Sequence, residues 1–303
     1  MPDPETDTDD EPAPADAFAA LSDPVRLDIL DALTEHHRDE GHDPIGFAAL
    51  RRRVGVRDSG RFRYHLNQLR ARFVERTDDG YRLTATGARV AGAILAGTYT
   101  ESVSLGPAEL DSTCPFCGTP AVATVREGQC VVSCAEDHPL FSWHVPANAT
   151  TDATLAEVVD LAELLAFQAI EQALAGVCTQ CYDSVETTVG DPSEPGFRAA
   201  CDTCPARLVG PITFPLLVDP DVAGWCRAHG YTLREDHVWE FPFVGDDASV
   251  EAVDARDAES ATDAADGCTT ADGGELVVTV AIDDDSLTAT LDADGRVVAV
   301  AEN

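Results

Sequence analysis

Eight of the ten cysteines stand in close pairs. Cys114-Pro-Phe-Cys117, Cys178-Thr-Gln-Cys181 and Cys201-Asp-Thr-Cys204 are CxxC turns, and Cys130 and Cys134 are spaced one residue wider. A CxxC turn lets two thiolates grip one tetrahedral ion, and Gly118 permits a turn that aims backbone N–H groups at sulfur. Two such turns, at Cys178/Cys181 and Cys201/Cys204, carry the spacing of a closed structural zinc ribbon. Four thiolates fill the ion and leave no position for water, so catalysis is not expected there. Cys114, Cys117, Cys130 and Cys134 are expected to form a second zinc site, in which the irregular spacing lets His138 or His144 replace a member of the later pair. The two cysteine modules look like a duplicated unit with unequal spacings. Cys226 and Cys268 are left over. Cys226-Arg-Ala-His229 has ligand spacing but falls in a helical pattern, where a buried thiol is the simpler expectation; a thiol sensor is the alternative.

The second stretch with chemistry is Asp58–Arg72, DSGRFRYHLNQLRAR. Asp58 or Ser59 can cap a helix start. Phe62, Leu66, Leu69 and Phe73 follow at helical spacing and predict an inward stripe. Tyr64, Asn67 and Gln68 are expected opposite, flanked by Arg61, His65 and Arg72 on one side and Arg63 and Arg70 on the other. Amides for base edges and guanidiniums for guanine or phosphate are what a major-groove helix needs. The expected DNA contacts are Arg51, Arg52, Arg57, Ser59, Arg61, Arg63, Tyr64, His65, Asn67, Gln68, Arg70 and Arg72, with Arg76 and Arg82 straddling a phosphate.

Charge sharpens this reading. The net charge is −35, and all 20 basic residues are arginine. Such a composition resembles that of cytoplasmic proteins from halophilic archaea, where acidity keeps chains hydrated, so the overall charge says little about partners. Residues 51–89 depart from it, with eleven arginines against four acids, a net +7. Polyanion binding is the simplest reason for that reversal. No apolar run is long enough for a membrane span. The acidic, Pro-rich residues 1–14 are the opposite of a signal peptide and are expected to be disordered, which points to a cytoplasmic protein with metal-bound rather than disulfide-bonded cysteines.

The elements that must position these groups are legible in order. Ala15–Leu21 is a short helix, and Ser22–Leu33 another, with Asp23 as cap and Pro24 at its first position. His36, His37 and His42 are expected in a solvated polar loop. Ile45–Val54 forms a third helix. Val74 and Tyr81–Leu83 flank Asp78-Asp79-Gly80 as a tight hairpin, and Thr84–Thr98 is a small-residue helix suited to a dimer interface. LSDPVRLDILDAL, RFRYHLNQL and RFVERTDDGYRLTATG together resemble the ArsR-type winged helix-turn-helix regulators over residues 14–100. That resemblance implies a homodimer on double-stranded DNA, with Ser59–Arg72 in the major groove. The helix Ile45–Val54 lacks the Cys pair of metal-sensing members and the last helix lacks their His set, so sensing through those sites is not expected.

The remaining chain predicts a first zinc-ribbon-like module (110–148), a connecting helix (152–176), a second module (177–245), and an acidic linker with a small β-meander (246–303). Thr154–Ala175 is apolar around most of its circumference and must pack on both sides. Asp219–His229 reads as a helix with Trp225 in it, and Trp239, Phe241 and Phe243 as a seal. Glu275–Ile282, Ser286–Leu291 and Arg296–Ala301 alternate as strands. The fold class is α+β: a winged helix-turn-helix, two zinc-ribbon-like modules joined by a long helix, and a β-meander. The expected function is transcription regulation without enzymatic activity, since no Ser/His/Asp set, paired-carboxylate motif or HExxH appears; a zinc enzyme with an open site at Cys130, Cys134 and His138 is the lesser alternative. The appended half resembles the Cys-rich domains of haloarchaeal ArsR-like regulators. A winged helix followed by a zinc ribbon also resembles archaeal transcription factor E, which would imply contact with RNA polymerase.

Overall fold

A computed structural model describes residues 13–70, 72–99, 103–190, 196–233, 235–244, 248–252 and 275–303. Cys268, most of the acidic tail and most of the acidic linker lie outside these residues. The protein is mixed α+β and divides into two compact units, Met1–Glu101 and Ser102–Asn303.

The first unit contains α1 (Pro14–Leu21), α2 (Pro24–Glu40), α3 (Phe47–Val54), α4 (Ser59–Leu69), the hairpin β1 (Val74–Arg76) and β2 (Tyr81–Leu83), and α5 (Ala85–Leu95). Helix α2 starts where Asp23 accepts a hydrogen bond from the Val25 N–H at 2.9 Å. It runs through His36 and His37 to Glu40, so these histidines lie on a helix rather than in the expected loop. Apolar residues three and four apart on α2 and α4 meet in one core, where Ile29, Leu30, Leu50, Phe62, Leu66, Leu69 and Phe73 are buried. Truncating one such side chain, Leu66→Ala, would cost about 2–5 kcal/mol. The hairpin is tied back onto the helices by paired bonds between Ile45 and Tyr81, 3.0 Å in each direction. A side chain at Gly80 would collide with the Ile45 carbonyl, and one at Gly87 with that of Phe73; both close approaches require glycine.

The second unit is organised around α6 (Leu155–Leu174). One antiparallel sheet precedes it, in the order β3 (Leu105–Thr113), β4 (Pro120–Arg126), β5 (Gln129–Cys134) and β6 (Pro139–His144). A second sheet follows: β7 (Val185–Val189), β8 (Phe197–Cys201) and β9 (Arg207–Gly210). Helices α7 (Phe214–Val218) and α8 (Pro220–Ala228) lead to a 3-10 turn at Val238–Glu240. The last sheet has four strands rather than the three expected from the alternation. β10 (Ala248–Ala252) pairs antiparallel with β11 (Leu276–Ile282), ahead of β12 (Asp285–Leu291) and β13 (Val297–Glu302). The sequence ASVEA is too short and too polar to announce that strand; the pairing partner supplies it.

Helix α6 is packed on both sides. Val158, Val159 and Ala162 join the core of the first sheet with Ala121, Ala123 and Val132. Ala169, Ile170 and Ala173 join Phe197, Ala199 and Leu208 of the second sheet. Its N-terminus carries a capping box between Thr154 and Glu157, which satisfies two otherwise orphaned donors.

One buried carboxylate fastens α6 to the segment before β10. Glu163 is buried and accepts from His237 Nδ1 at 2.9 Å and from the Val238 N–H at 2.7 Å. His237 stacks on Trp239, whose indole N–H donates to Ser112, which in turn donates to Glu240. Burial opposes a charge on His237, but the hydrogen bond to Glu163 and the negative charges of Glu163, Glu240 and Asp160 outweigh it and raise its pKa. The tie therefore contributes fully below the ordinary histidine pKa and fades as pH rises through the raised value. In denaturant titrations, His237→Phe should cost on the order of 1 kcal/mol more stability at about pH 6 than at about pH 9; an equal cost at both would show that the tie is packing alone.

Candidate metal centres and nucleic-acid interface

The first cysteine turn lies between β3 and β4. The Gly118 N–H bonds the Cys114 carbonyl at 2.9 Å, and the Cys114 N–H bonds the Thr119 carbonyl at 2.8 Å. Gly118 takes φ +70°, as its place in the turn demands. Cys134 ends β5, and His138 follows in the turn before β6. Cys114, Cys117, Cys134 and His138 bring their ligand atoms within 4.8 Å of one another. Cys117 and Cys134 sulfurs are 3.6 Å apart, and His138 Nδ1 lies 3.3 Å from Cys134 and 3.6 Å from Cys114. A tetrahedral ion with metal–sulfur bonds of about 2.3 Å and metal–nitrogen bonds of about 2.0–2.1 Å needs S···S near 3.8 Å and S···N near 3.5 Å. The residues fit such an ion.

Cys130 is not part of this cluster, against the sequence expectation. It lies on β5 opposite Trp143, fully buried in the apolar core. Burial, with the nearby Glu163 charge, pushes its thiol up to about 11, so it is an inert packing group. The four-residue step from Cys130 to Cys134 runs along one strand and cannot fold two sulfurs onto one ion. His138, next across the turn, takes the fourth place; His144 is exposed at the far end of β6.

The second cluster joins Cys178, Cys181, Cys201 and Cys204. Sulfurs of Cys178 and Cys204, and of Cys181 and Cys201, are 3.5 Å apart. Backbone N–H groups of Gln180, Thr203 and Cys204 donate to these sulfurs at 3.4 Å. Backbone donation from Cys181 and Gln180 brings the Cys178 thiol down to about 6. At Cys181 the Asp183 N–H favours the thiolate, but burial and the neighbouring sulfurs outweigh it and hold the thiol up at about 12. Sulfurs this close cannot all ionise alone; a cation at their centre removes the conflict.

The two clusters sit in equivalent frames. In each, a cysteine turn is followed by a strand, a hairpin, a second strand and a second turn. Ala121 pairs with Cys134 and Val185 with Cys201, each partner lying four residues after the second cysteine of its turn. The Cys178 N–H bonds Asp183 O at 2.9 Å and Tyr182 N–H bonds Cys178 O at 3.1 Å, as Cys114 and Gly118 do. Tyr182 even shares the positive φ, at +64°.

A third group of possible ligands, Asp160, Glu163 and His237, is the tie described above, with both Glu163 oxygens already bonded. Cys226 is buried, which pushes its thiol up to about 11, and His229 turns away from it to Trp225 O and Asp285. These two do not form a ligand pair.

In the first unit, α4 is capped by Asp58, which accepts from the Arg61 N–H at 2.7 Å. Ser59, Arg61, Arg63, Tyr64, Asn67, Gln68 and Arg70 are exposed along it or at its end. Arg70 follows the last helical residue and donates to Asn67 at 3.4 Å. The Arg63 guanidinium lies 5.5 Å from the centre of the Phe47 ring. Arg52 donates to Ala48 O, Arg57 and Arg76 are exposed, and Arg72 is half-buried.

Three expected contacts have other work. His65 is buried, with Nδ1 3.5 Å from the Asp23 carboxylate. At about 100° per residue it falls three after Phe62 and four before Leu69, beside the inward stripe rather than the outer face. Arg51 donates to the carbonyls of Val56 and Arg57 and so fastens the turn between α3 and α4. Arg82 is paired across the hairpin with Glu75, so the phosphate clamp expected of it is half neutralised.

The class defined by these features is a two-unit α+β chain, with one unit bearing an arginine-rich helix face and the other two four-ligand thiol clusters. The chain belongs to the family described as domain of unknown function DUF7351, which matches residues 111–297. Residues 14–94 match a second one, domain of unknown function DUF7347. No curated protein matches the chain. No helix among the described residues is long and apolar enough to cross a membrane.

Elemental analysis tests the ligand sets. Wild type should carry two ions per chain, one for each four-ligand cluster; His138→Ala should lose about one of them. Cys130→Ser should keep both ions yet melt earlier, at a cost of about 1–3 kcal/mol for the buried hydroxyl. A lower metal content in Cys130→Ser would return that residue to the ligand set.

Proposed function

We propose that the chain is a sequence-specific, DNA-binding transcription regulator acting as a homodimer, with two structural zinc ions in its second unit. The first unit is read as a winged helix-turn-helix: α2, α3 and α4 form the three-helix core, α4 lies in the major groove, and the β1–β2 hairpin is the wing. The observation that carries this reading is the outer face of α4. Arg61, Arg63, Tyr64, Asn67 and Gln68 are all exposed on a helix whose other face is the buried core, in the one segment that reverses the sign of an acidic chain. Asn67 and Gln68 suit adenine edges and Arg61 and Arg63 suit guanine or phosphate.

Homodimerisation is supported by apolar side chains left outside the first unit's core. Phe18, Ile94, Leu95 and Tyr99 are exposed on or just after the two terminal helices, α1 and α5. Zinc is supported by ligand softness and number: three thiolates with an imidazole, and four thiolates, suit a tetrahedral ion without redox chemistry and leave no open position. The action is then binding rather than catalysis.

Selection of bound duplexes from a random pool in molar KCl tests the reading. A two-fold symmetric motif should emerge. Arg61→Ala should weaken binding, and Gln68→Ala should relax one base position, at a cost of about 1–3 kcal/mol. Glu75→Gln, which frees Arg82 for a phosphate, should strengthen binding and steepen its salt dependence. No enrichment by folded, metal-loaded protein would sink the proposal.

A further inference from the structure

The second unit holds an open cavity of about 510 Å³ between its two cysteine modules, within the range of ligand sites. Ser142, Trp143 and His144 line one wall, and Ala206, Arg207, Leu208 and Val209 the other. Successive side chains on a strand point to opposite faces. Consecutive residues from both faces of a strand that line one cavity place the edge of that strand, with its backbone N–H and C=O groups, beside it. Both β6 and β9 are outermost in their sheets, so among the described residues each has an unpaired edge. Helix α6 supplies the floor through Leu165, Gln168, Ala169 and Gln172, and the Cys178–Gln180 turn closes one end.

The lining departs from the rest of the chain. The sequence has 55 acidic residues, yet among the described residues none lines this groove. It has five glutamines, and four of them do: Gln129, Gln168, Gln172 and Gln180. A carboxamide has the donor and acceptor pattern of a peptide group and carries no charge. Arg207 at the wall is the one permanent charge, and Val209 beside it is 66 % exposed.

We propose that this groove binds an extended peptide segment of a partner protein, neutral or acidic in charge. The segment adds as a strand against the free edges of β6 and β9 and so bridges the two sheets. Its backbone pairs with the edges. The glutamines on the floor take its remaining polar groups, and Trp143 and Val209 take its apolar side chains. The lack of carboxylates among the described lining residues, with Arg207 present, lets the groove accept an acidic segment without repulsion.

Random peptides of about twelve residues displayed on phage, selected on the full-length protein, supply the probe. Selected peptides are then measured by fluorescence anisotropy against wild type and Gln168→Ala/Gln172→Ala, two changes at exposed or half-buried positions that spare the core. The double variant should bind roughly tenfold more weakly, and backbone N-methylation at the centre of the peptide should cost as much again. Recovery of no peptide, or of peptides that bind the double variant unchanged, would overturn the proposal. Full tolerance of N-methylation would also overturn it, in favour of a pocket that reads side chains or small molecules.

Discussion

The second unit depends on the burial of one helix on two sides. Leu155–Leu174 is apolar around most of its surface, and a helix of that kind is stable in water only when covered twice. Each sheet provides one cover, and the second, with three strands of four or five residues, is too small to provide both. The first half of α6 closes the core of β3–β6, and the second half closes that of β7–β9. Because one rigid helix serves both sheets, their outer strands are held apart at a fixed spacing, and the groove between β6 and β9 is the remaining gap. The Glu163–His237 tie then fixes the helix against the segment that leads into the last sheet.

Sheets this small do not bury enough apolar surface to stand without a further restraint. The two cysteine clusters close the ends of the hairpins where hydrophobic cover stops. Their equivalent strand register explains why the ligand spacings can differ while the frames agree. The distance between the two turns is set by hairpin length, which differs, and the ligand atoms are aimed by the turn itself, which does not. The replacement of a thiolate by His138 fits the same logic. The step from Cys134 to His138 is one residue longer than that from Cys201 to Cys204, and Asp137 takes a positive φ of 60° to bring the ring back to the centre.

Much of this was legible in the sequence because the signals were local. Capping at Asp23 and Asp58, the hairpin at Asp78-Asp79-Gly80, the double-sided helix and the Cys178/Cys181/Cys201/Cys204 set all rest on residues a few positions apart or on a repeated spacing. The misplacements arose where a non-local partner decides. Cys130 looks like a ligand by spacing, but its strand neighbour Trp143 places it in the core. Arg51 looks like a phosphate contact until the turn carbonyls of Val56 and Arg57 are seen to occupy it, and Arg82 until its pairing with Glu75 is known. His65 is a different case: helical angle alone places it beside Phe62 and Leu69, so its burial is carried by a local signal. The strand at Ala248–Ala252 had no local signal, because a short polar stretch becomes a strand only when another strand offers its edge.

In a chain of net charge −35, binding surfaces are easiest to recognise as departures from the background. A long-range negative field is a poor discriminator where salt screens it within a few ångströms, about 3 Å at 1 M. Recognition under such conditions has to rest on short-range contacts, namely hydrogen bonds, close ion pairs and shape. The two surfaces proposed for binding answer this in different ways. The face of α4 carries arginines and two amides in place of acids, groups that would pair directly with a phosphate or a base edge in the proposed complex. The groove beside α6 removes charge almost entirely and gathers four of the five glutamines, whose hydrogen bonds do not weaken as ionic strength rises. The two proposed surfaces thus share a scarcity of acids, and the local ratio of guanidinium to carboxamide is what would separate a polyanion site from a peptide site.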